Sequence, residues 1–329
     1  MAFPNVVLST LRPDLVGSLE QYDLDGARQG FIATRVATPI DVALKSDVVS
    51  IWAIDQLIKN ANVIRSPGTP YARIDAKFGT FTYSCKDNGV EEAIDDGQAM
   101  QYANYFDAEL MATKRVRDTV LREMEKRVAA LIFNSGTWTG AAYAVAAGAQ
   151  SAPAAATAWS VFATADPKGD VLWARKKIFA NCGLVANTVI MSWATAENLR
   201  NCLRIIDLVK YWGGDDPKMV TNRALAMALG VEQVLISGQS KNAANEGQAM
   251  SLSNIWADNM VHVCFVDPSN DHTRPCVART MHYTADGSTI GSTIEGYRQE
   301  SVRGNVVRAR MDTDEIVVMK DAGFLITGV

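Results

Sequence analysis

Between Gln98 and Ser135 the sequence contains neither glycine nor proline. Val116, Val120, Met124 and Val128 recur there every four residues, with Leu121, Leu131 and Ile132 widening the stripe. That period is the signature of an amphipathic helix. Asp95 and Asp96 are N-cap candidates, Gly136 is a stop, and Asp118 with Arg122 and Glu123 with Arg127 set opposite charges at i,i+4. At about 1.5 Å per residue, one helix over 98–135 runs roughly 50 Å, several times the average globular helix. A helix of that length acts as a strut, and the remaining chain has to be arranged around it.

Residues 1–45 carry Pro4, Pro13, Gly17, Gly26, Gly30 and Pro39, which leaves no room for a long periodic element and predicts an extended arm. Ser46–Lys59 fits a short strand or a short helix equally well. From residue 62 to 95 the chain reads as a β-ribbon. Arg65-Ser-Pro-Gly-Thr-Pro opens it with turn chemistry, Tyr71–Cys85 is rich in β-formers, and Lys86-Asp-Asn-Gly turns again. Arg73, Asp75 and Lys77 alternate with Ile74, Ala76 and Phe78, so the ribbon has one charged face and one lightly apolar face. It cannot be stable alone and needs a neighbouring surface. On this reading, removal of Ser66–Asn88 costs the subunit core little.

Residues 136–165 are rich in Ala, Ser, Thr and Gly and predict a loop with short strands. A second helix then starts with Asp166 as N-cap and Pro167 at the first position, carries Val171, Leu172, Ile178 and Phe179, and stops at Gly183. Strand and helix alternate beyond it: Thr188–Ser192, a helix through Leu199, Leu203 and Ile206, a short helix Ala224–Leu229, and strands Val231–Ser237 and Met260–Val266. The final segments, Asn305–Met311, Glu315–Met319 and Phe324–Ile326, are strand formers.

The composition, 48% hydrophobic and 21% charged, is that of a globular chain. The start lacks the pattern of a secretory signal. No apolar run approaches the roughly 20 residues that cross a bilayer, so a soluble intracellular product without membrane contact is expected. A net charge of −4 argues against a nucleic-acid grip through phosphates. The five cysteines (Cys85, Cys182, Cys202, Cys264 and Cys276) are odd in number and irregularly spaced, and are read as reduced apolar fillers.

Chemistry is sparse. There is no G-x-S-x-G elbow, Walker A loop or G-x-G-x-x-G fingerprint, and the histidines are His262, His272 and His282. Gly287-Ser-Thr-Ile-Gly291 lacks a phosphate-reaching lysine and reads as a turn. His262-x-Cys264 with His272-x-x-x-Cys276 has the residue types of a zinc site, but Cys264 sits in an apolar run and Pro275 stiffens the approach to Cys276. A buried strand and a surface loop are the favoured reading. Glu91-Glu92 and Asp95-Asp96 have the residue types for acid–base work or divalent-metal binding, and are read instead as a solvated ribbon end and a helix N-cap. Lys114-Arg-Val-Arg117 is balanced by Asp107, Glu109, Asp118, Glu123 and Glu125, which makes a solvated face. No catalytic, cofactor-binding or metal residue is assigned.

The order of arm, ribbon, long helix, α/β domain and closing strands resembles the major capsid proteins of tailed double-stranded-DNA bacteriophages, the Hong Kong 97-type fold. Arg65-Ser-Pro-Gly-Thr, Glu91-Glu-Ala-Ile-Asp, Ala186-Asn-Thr-Val-Ile-Met-Ser-Trp, Ala228-Leu-Gly-Val with Val234-Leu-Ile-Ser, and Asp321-Ala-Gly-Phe-Leu-Ile carry the resemblance. It implies an α+β fold divided into an N-terminal arm (1–45), a peripheral domain (46–61 and 96–183) built on a spine helix over about 98–135, an extended loop (62–95), an axial domain (184–285) and closing peripheral strands (286–329).

It also implies a structural, non-enzymatic subunit without cofactors. The subunit self-assembles as hexamers and pentamers into an icosahedral shell around double-stranded DNA, in the virion and formed in the bacterial cytoplasm. Implied partners are further copies of the chain, a portal protein, a decoration protein and, because no charged helical leader is present, a separate scaffolding protein. With the chain starting at Met1, maturation without proteolytic removal of a leader is expected. Alternatives are an encapsulin-type cellular compartment of the same fold and a small α/β enzyme using residues 166–266.

Overall fold

The strut is present, and it starts later than the apolar period suggests. In the computed structural model, which describes residues 10–11, 30–52, 58, 60, 63–71, 73, 77–102, 107–149, 157–210, 220–245, 247–291 and 293–329, the first elements are β1 (Thr10–Leu11), α1 (Ala33–Val36), β2 (Thr38–Val42), β3 (Ser46–Trp52), β4 (Phe78–Ser84) and β5 (Lys86–Asp95). Two helices follow, α2 (Asp96–Tyr102) and α3 (Ala108–Ile132). The N-cap of α3 is Asp107, whose extended backbone lets its carboxylate accept from the amides of Glu109 and Leu110. Neither Asp95 nor Asp96 caps the long helix. Asp95 accepts from the Gly97 amide, and Asp96 lies in the first turn of α2.

Beyond α3 come β6 (Ala144–Ala146), α4 (Pro167–Cys182), β7 (Thr188–Ser192), α5 (Trp193–Asn201), α6 (Leu203–Lys210), α7 (Asn222–Leu229) and β8 (Gln233–Ser237). Then follow β9 (Ser240–Asn242), β10 (Leu252–Asn254), β11 (Met260–Cys264), β12 (Ala278–Tyr283), β13 (Ile294–Gln299), β14 (Gly304–Val317) and β15 (Gly323–Thr327). The signals around α4 act as expected: Asp166 accepts from the Gly169 amide, Pro167 occupies the first turn, and Gly183 ends the helix in the left-handed region at φ 74°.

Two larger sheets organise the molecule. A six-stranded sheet runs β1-β13-β14-β12-β2, with β5 on the other side of β14, and a five-stranded sheet runs β6-β15-β11-β7-β8. Strand β14 is the spine of the first. It joins segments expected as two separate strands, because β12 holds its C-terminal part while β13 and β5 flank its N-terminal part. Val116, Val120, Met124, Val128 and Ile132 of α3 are buried in one core with Ile94, Ile294, Val307, Ala309 and Met311 of this sheet. Each such burial contributes about 1.5–3 kcal/mol.

The five-stranded sheet is covered on both faces. Val189 and Met191, Val261 and Val263, and Phe324 and Ile326 join a second core with Val171, Ala174 and Ile178 of α4 and with Leu199, Ile205 and Leu225. The alternate residues Ile190, Cys264 and Leu325 belong to the first core. This explains why Thr188–Ser192 is buried at every position and reads as a run without alternation.

Several placements differ from the sequence reading. Lys86–Gly89 is strand and not a turn: β5 pairs in unbroken register from Lys86 opposite Thr313 to Asp95 opposite Gly304. A turn signal there was overridden by ten cross-strand pairings. The ribbon stem is therefore β3 with β4, from Ser46 opposite Ser84 to Trp52 opposite Phe78, which also settles Ser46–Trp52 as strand. From Gly30 onward the expected arm is part of the body, because β2 pairs in parallel with β12. Residues 1–9 and 12–29, and the alternation proposed at 74–76, lie outside the described residues. The last strand, β15, pairs with β11 in the five-stranded sheet instead of closing the other one, and α4 packs on that same sheet.

Candidate assembly surfaces

The ribbon is rooted where Tyr83 and Cys85 are buried with Ile40 and Met281. Tyr83 Oη donates to Leu44 O at 3.1 Å and Lys45 pairs with Asp312 at 2.7 Å. Away from this root it opens to solvent. Val63 and Ile64 are 85% and 84% exposed, and Tyr71 and Phe78 are exposed too. The tip is nevertheless ordered by local bonds. Arg65 Nε donates to Thr69 O at 2.6 Å, the Thr69 amide and hydroxyl donate to Ser66 O, and the Arg65 guanidinium lies 4.7 Å from the Tyr71 ring centre. Gly68, at φ 85°, supplies the left-handed residue the turn requires. Ile51 and Ile58 border a cavity of about 210 Å³ whose other walls include Leu184, Pro275, Val318 and Met319.

The acidic and basic residues singled out in the sequence are distributed over both faces of the six-stranded sheet. On the helix side, Arg115 pairs with Glu92 at 2.8 Å, and Arg127 is bidentate to Glu315 at 2.8 and 2.9 Å. On the other side, Arg308 bridges Glu91 and Glu295, Arg310 bridges Glu295 and Asp286, and Tyr297 Oη donates to Glu91. Burial raises the Asp286 carboxyl, but Arg310 and Ser288 outweigh it and hold the pKa down to about 2. Glu91 and Glu92 are thus ion-paired within β5 and do not end the ribbon, although Glu91 stays exposed to solvent as expected. Asp96 pairs with Arg298 at 2.8 Å. Arg117 is buried with its Nε donating to Gly291 O, so the basic run is only partly a solvated face. Glu123 pairs with Lys126 instead of Arg127, because Glu315 takes the Arg127 fork.

The His/Cys candidates do not converge. His262 is fully buried on β11, its ring centre 4.5 Å from that of Trp138, and burial pushes its pKa down to about 3. Cys264 lies in the same core, its thiol raised by burial and then by Cys276. His272 is exposed in the loop after β11. Among the described residues no group of three or more His, Cys, Asp or Glu side chains is placed to hold a metal ion. Gly287 and Gly291 both adopt positive φ, as turn glycines do. His282 contacts Asp41 at 3.1 Å. All five cysteines are buried and unbridged, and no helix among the described residues is long and apolar enough to cross a membrane.

Glu125, read in the sequence as part of the solvated face of the long helix, is fully buried, and two further buried polar residues, Asp170 and Arg279, escaped the sequence reading. Glu125 on α3 accepts from the amides of Ile32 (3.1 Å) and Ala33 (2.8 Å), from Trp256 Nε1 (2.6 Å) and from Ser237 Oγ (3.5 Å). Burial raises its pKa despite these four donors. Asp170 accepts from the Gly148 amide and Trp159 Nε1, and Arg279 donates to the carbonyls of Asp267, Ser269 and Asp271. The signal for Glu125 was its position, four residues after Leu121 and three before Val128, on the flank of the apolar stripe.

No family model matches the sequence, nor does any curated protein. Solved structures do match. A phage-related protein from Bordetella bronchiseptica superposes with a TM-score of 0.68 at 18% identity over 98% of each chain. The capsid structure of the cyanophage P-SCSP1u gives 0.58 at 14% identity over 100% of this chain and 92% of that one. The capsid of Myoviridae phage XM1 gives 0.54 at 9% identity, over 91% and 92%. At these identities the likeness is one of architecture, and with the strut, the ribbon and the two sheets in place the chain has the α+β fold of phage capsid proteins, of the Hong Kong 97 type.

Proposed function

We propose that this chain is the major capsid protein of a tailed double-stranded-DNA bacteriophage. It assembles as hexamers and pentamers into an icosahedral shell that encloses the genome without reading its sequence. The observation that carries this reading is the ribbon tip, where a locally ordered turn presents Val63 and Ile64 almost fully to solvent. Paired apolar side chains on a preformed projection are a contact element awaiting a complementary surface.

In this role the six-stranded sheet with α3 is the peripheral domain, the five-stranded sheet with its helices is the axial domain, and chemistry is absent from the subunit's task. A separate scaffolding protein, a portal and a decoration protein are the proposed partners, and the virion is the proposed location. Co-expression with its scaffold, followed by light scattering and electron microscopy, tests the reading. Closed particles containing DNA after infection are expected. Monomers or dimers alone overturn it.

A further inference from the structure

We propose that the outer edge of β5 is an interface in which two copies of the chain join their six-stranded sheets edge to edge about a two-fold axis, Val90 lying opposite Val90 of the partner copy. The inference deepens the shell reading above and rests on it for its setting. Two hydrogen bonds fix which way each β5 residue points. The Asp96 amide donates to Arg303 O, and the Arg310 amide donates across to Thr293 O on the β13 side. Odd-numbered residues of β14 therefore face β5, and through the pairing of Thr313 with Lys86, Met311 with Asn88, Ala309 with Val90, Val307 with Glu92 and Asn305 with Ile94, the even residues of β5 point inward.

Asp87, Gly89, Glu91 and Ala93 point their main-chain groups outward, and no described residue takes up those groups. The edge is also unguarded. It is ten residues long, contains no proline, and keeps its register without a bulge. The carboxylates of Glu91 and Glu92 are bound to Arg308 and Arg115 within the subunit. A strand edge of this length and regularity is a template for another strand.

The sequence of the edge favours its own copy as that strand. In antiparallel pairing centred on Val90, Asp87 faces Ala93 and Gly89 faces Glu91, so every outward residue meets an outward residue and about eight backbone hydrogen bonds form. No like charges stand opposite each other: Lys86 faces Ile94 and Asn88 faces Glu92. Pairing centred on Gly89 would instead put Asp87 against Glu91. The arrangement is isologous and closes on itself.

Val90 would form a non-hydrogen-bonded pair with its own copy, Cα atoms about 4.5 Å apart, within the roughly 4.4–6.8 Å that a disulfide spans. All five native cysteines are buried, so background cross-linking is low. The test is mild oxidation of Val90→Cys particles, read on a non-reducing gel beside Ala93→Cys particles. A dimer from Val90→Cys and none from Ala93→Cys is expected. Particles in which Val90→Cys stays monomeric, or in which Ala93→Cys dimerises equally, overturn the two-fold register.

Hydrogen exchange on the unsubstituted protein provides a second reading that depends on no variant. Peptides spanning 86–95 gain protection of the outward amides on passing from subunit to particle. Equal exchange in both states overturns the interface, and protection that needs a different polypeptide overturns the assignment to a second copy. Failure of the parent chain to form particles counts against the shell reading, and the Val90→Cys dimer in the soluble subunit then still reports on the edge.

Discussion

Glu125 is a buried carboxylate with no cationic partner among the described residues. Its four neighbours are all donors, two of them backbone amides at the start of α1. An ionised carboxylate, accepting only, suits that setting. Glutamine is nearly isosteric but brings an NH₂ group, and either orientation sets it against a donor, Trp256 Nε1 on one side or the Ala33 amide on the other. Glu125→Gln is expected to lower stability by about 1–3 kcal/mol, measured by urea unfolding with an unchanged m-value; an unchanged midpoint would show that the carboxyl is held neutral. Gly323 makes a second case. A Cβ there would lie 2.6 Å from Trp138 and 2.7 Å from His262, so Gly323→Ala pushes against both of these tilted, packed rings and is expected to cost about 1–3 kcal/mol. A melting temperature within a degree of the parent would show that the ring contact yields freely. Neither residue was legible in the sequence, since a glutamate among Glu123, Lys126 and Arg127 looks solvated and a glycine before Phe324 looks like any strand start.

At the scale of elements, legibility followed the locality of the cause. The ends of α4 were readable because Asp166, Pro167 and Gly183 act on their own neighbours. The start of α3 was not: Asp95 and Asp96 were read as its caps, and the actual cap, Asp107, was overlooked as a surface charge, because only the distant pairing of β5 with β14 shows that Asp95 belongs to a sheet. The same distant pairing turned Lys86–Gly89 from a presumed turn into strand, and it assembled the charge network of β13, β14 and β5, which no spacing rule reveals. That network predicts acid sensitivity. Asp286 is held down to about 2 and Glu295 is lowered as well, burial opposing and the Arg308 and Arg310 pairings prevailing. Depressed carboxyl pKa values contribute stability above the unfolded values, near 4, and lose it as pH falls toward the folded ones. Melting temperature should therefore drop between about pH 4.5 and 2, and Asp286→Asn should flatten part of that slope. Parallel profiles for parent and variant would remove the Asp286–Arg310 pair as a cause.

For the whole molecule the decisive question is which parts of the chain serve its own core and which serve a neighbour. Removing Ser66–Asn88 no longer tests this cleanly. The cut takes β4 from β3, Tyr83 and Cys85 from the ribbon root, and the first residues of β5 from Met311, Asp312 and Thr313. Its expected result is therefore a destabilised subunit and not a folded, assembly-deficient one. The separable part is the tip. Residues 63–71 are exposed throughout, and the bonds from Arg65 to Thr69 and from Thr69 to Ser66 stay within the turn. Replacing 63–71 by a short Gly/Ser linker removes Val63, Ile64 and Tyr71 while leaving β3, β4 and both cores intact, so circular dichroism and the melting temperature should match the parent. If the tip is a contact element, the loss is repeated at every subunit of a closed lattice, and small deficits per contact multiply into failure to close. Electron microscopy of the linker variant should show unassembled subunits or open fragments. Intact shells would show that the apolar tip is dispensable, and a melting temperature lowered as far as by a core deletion would show that it packs on its own subunit.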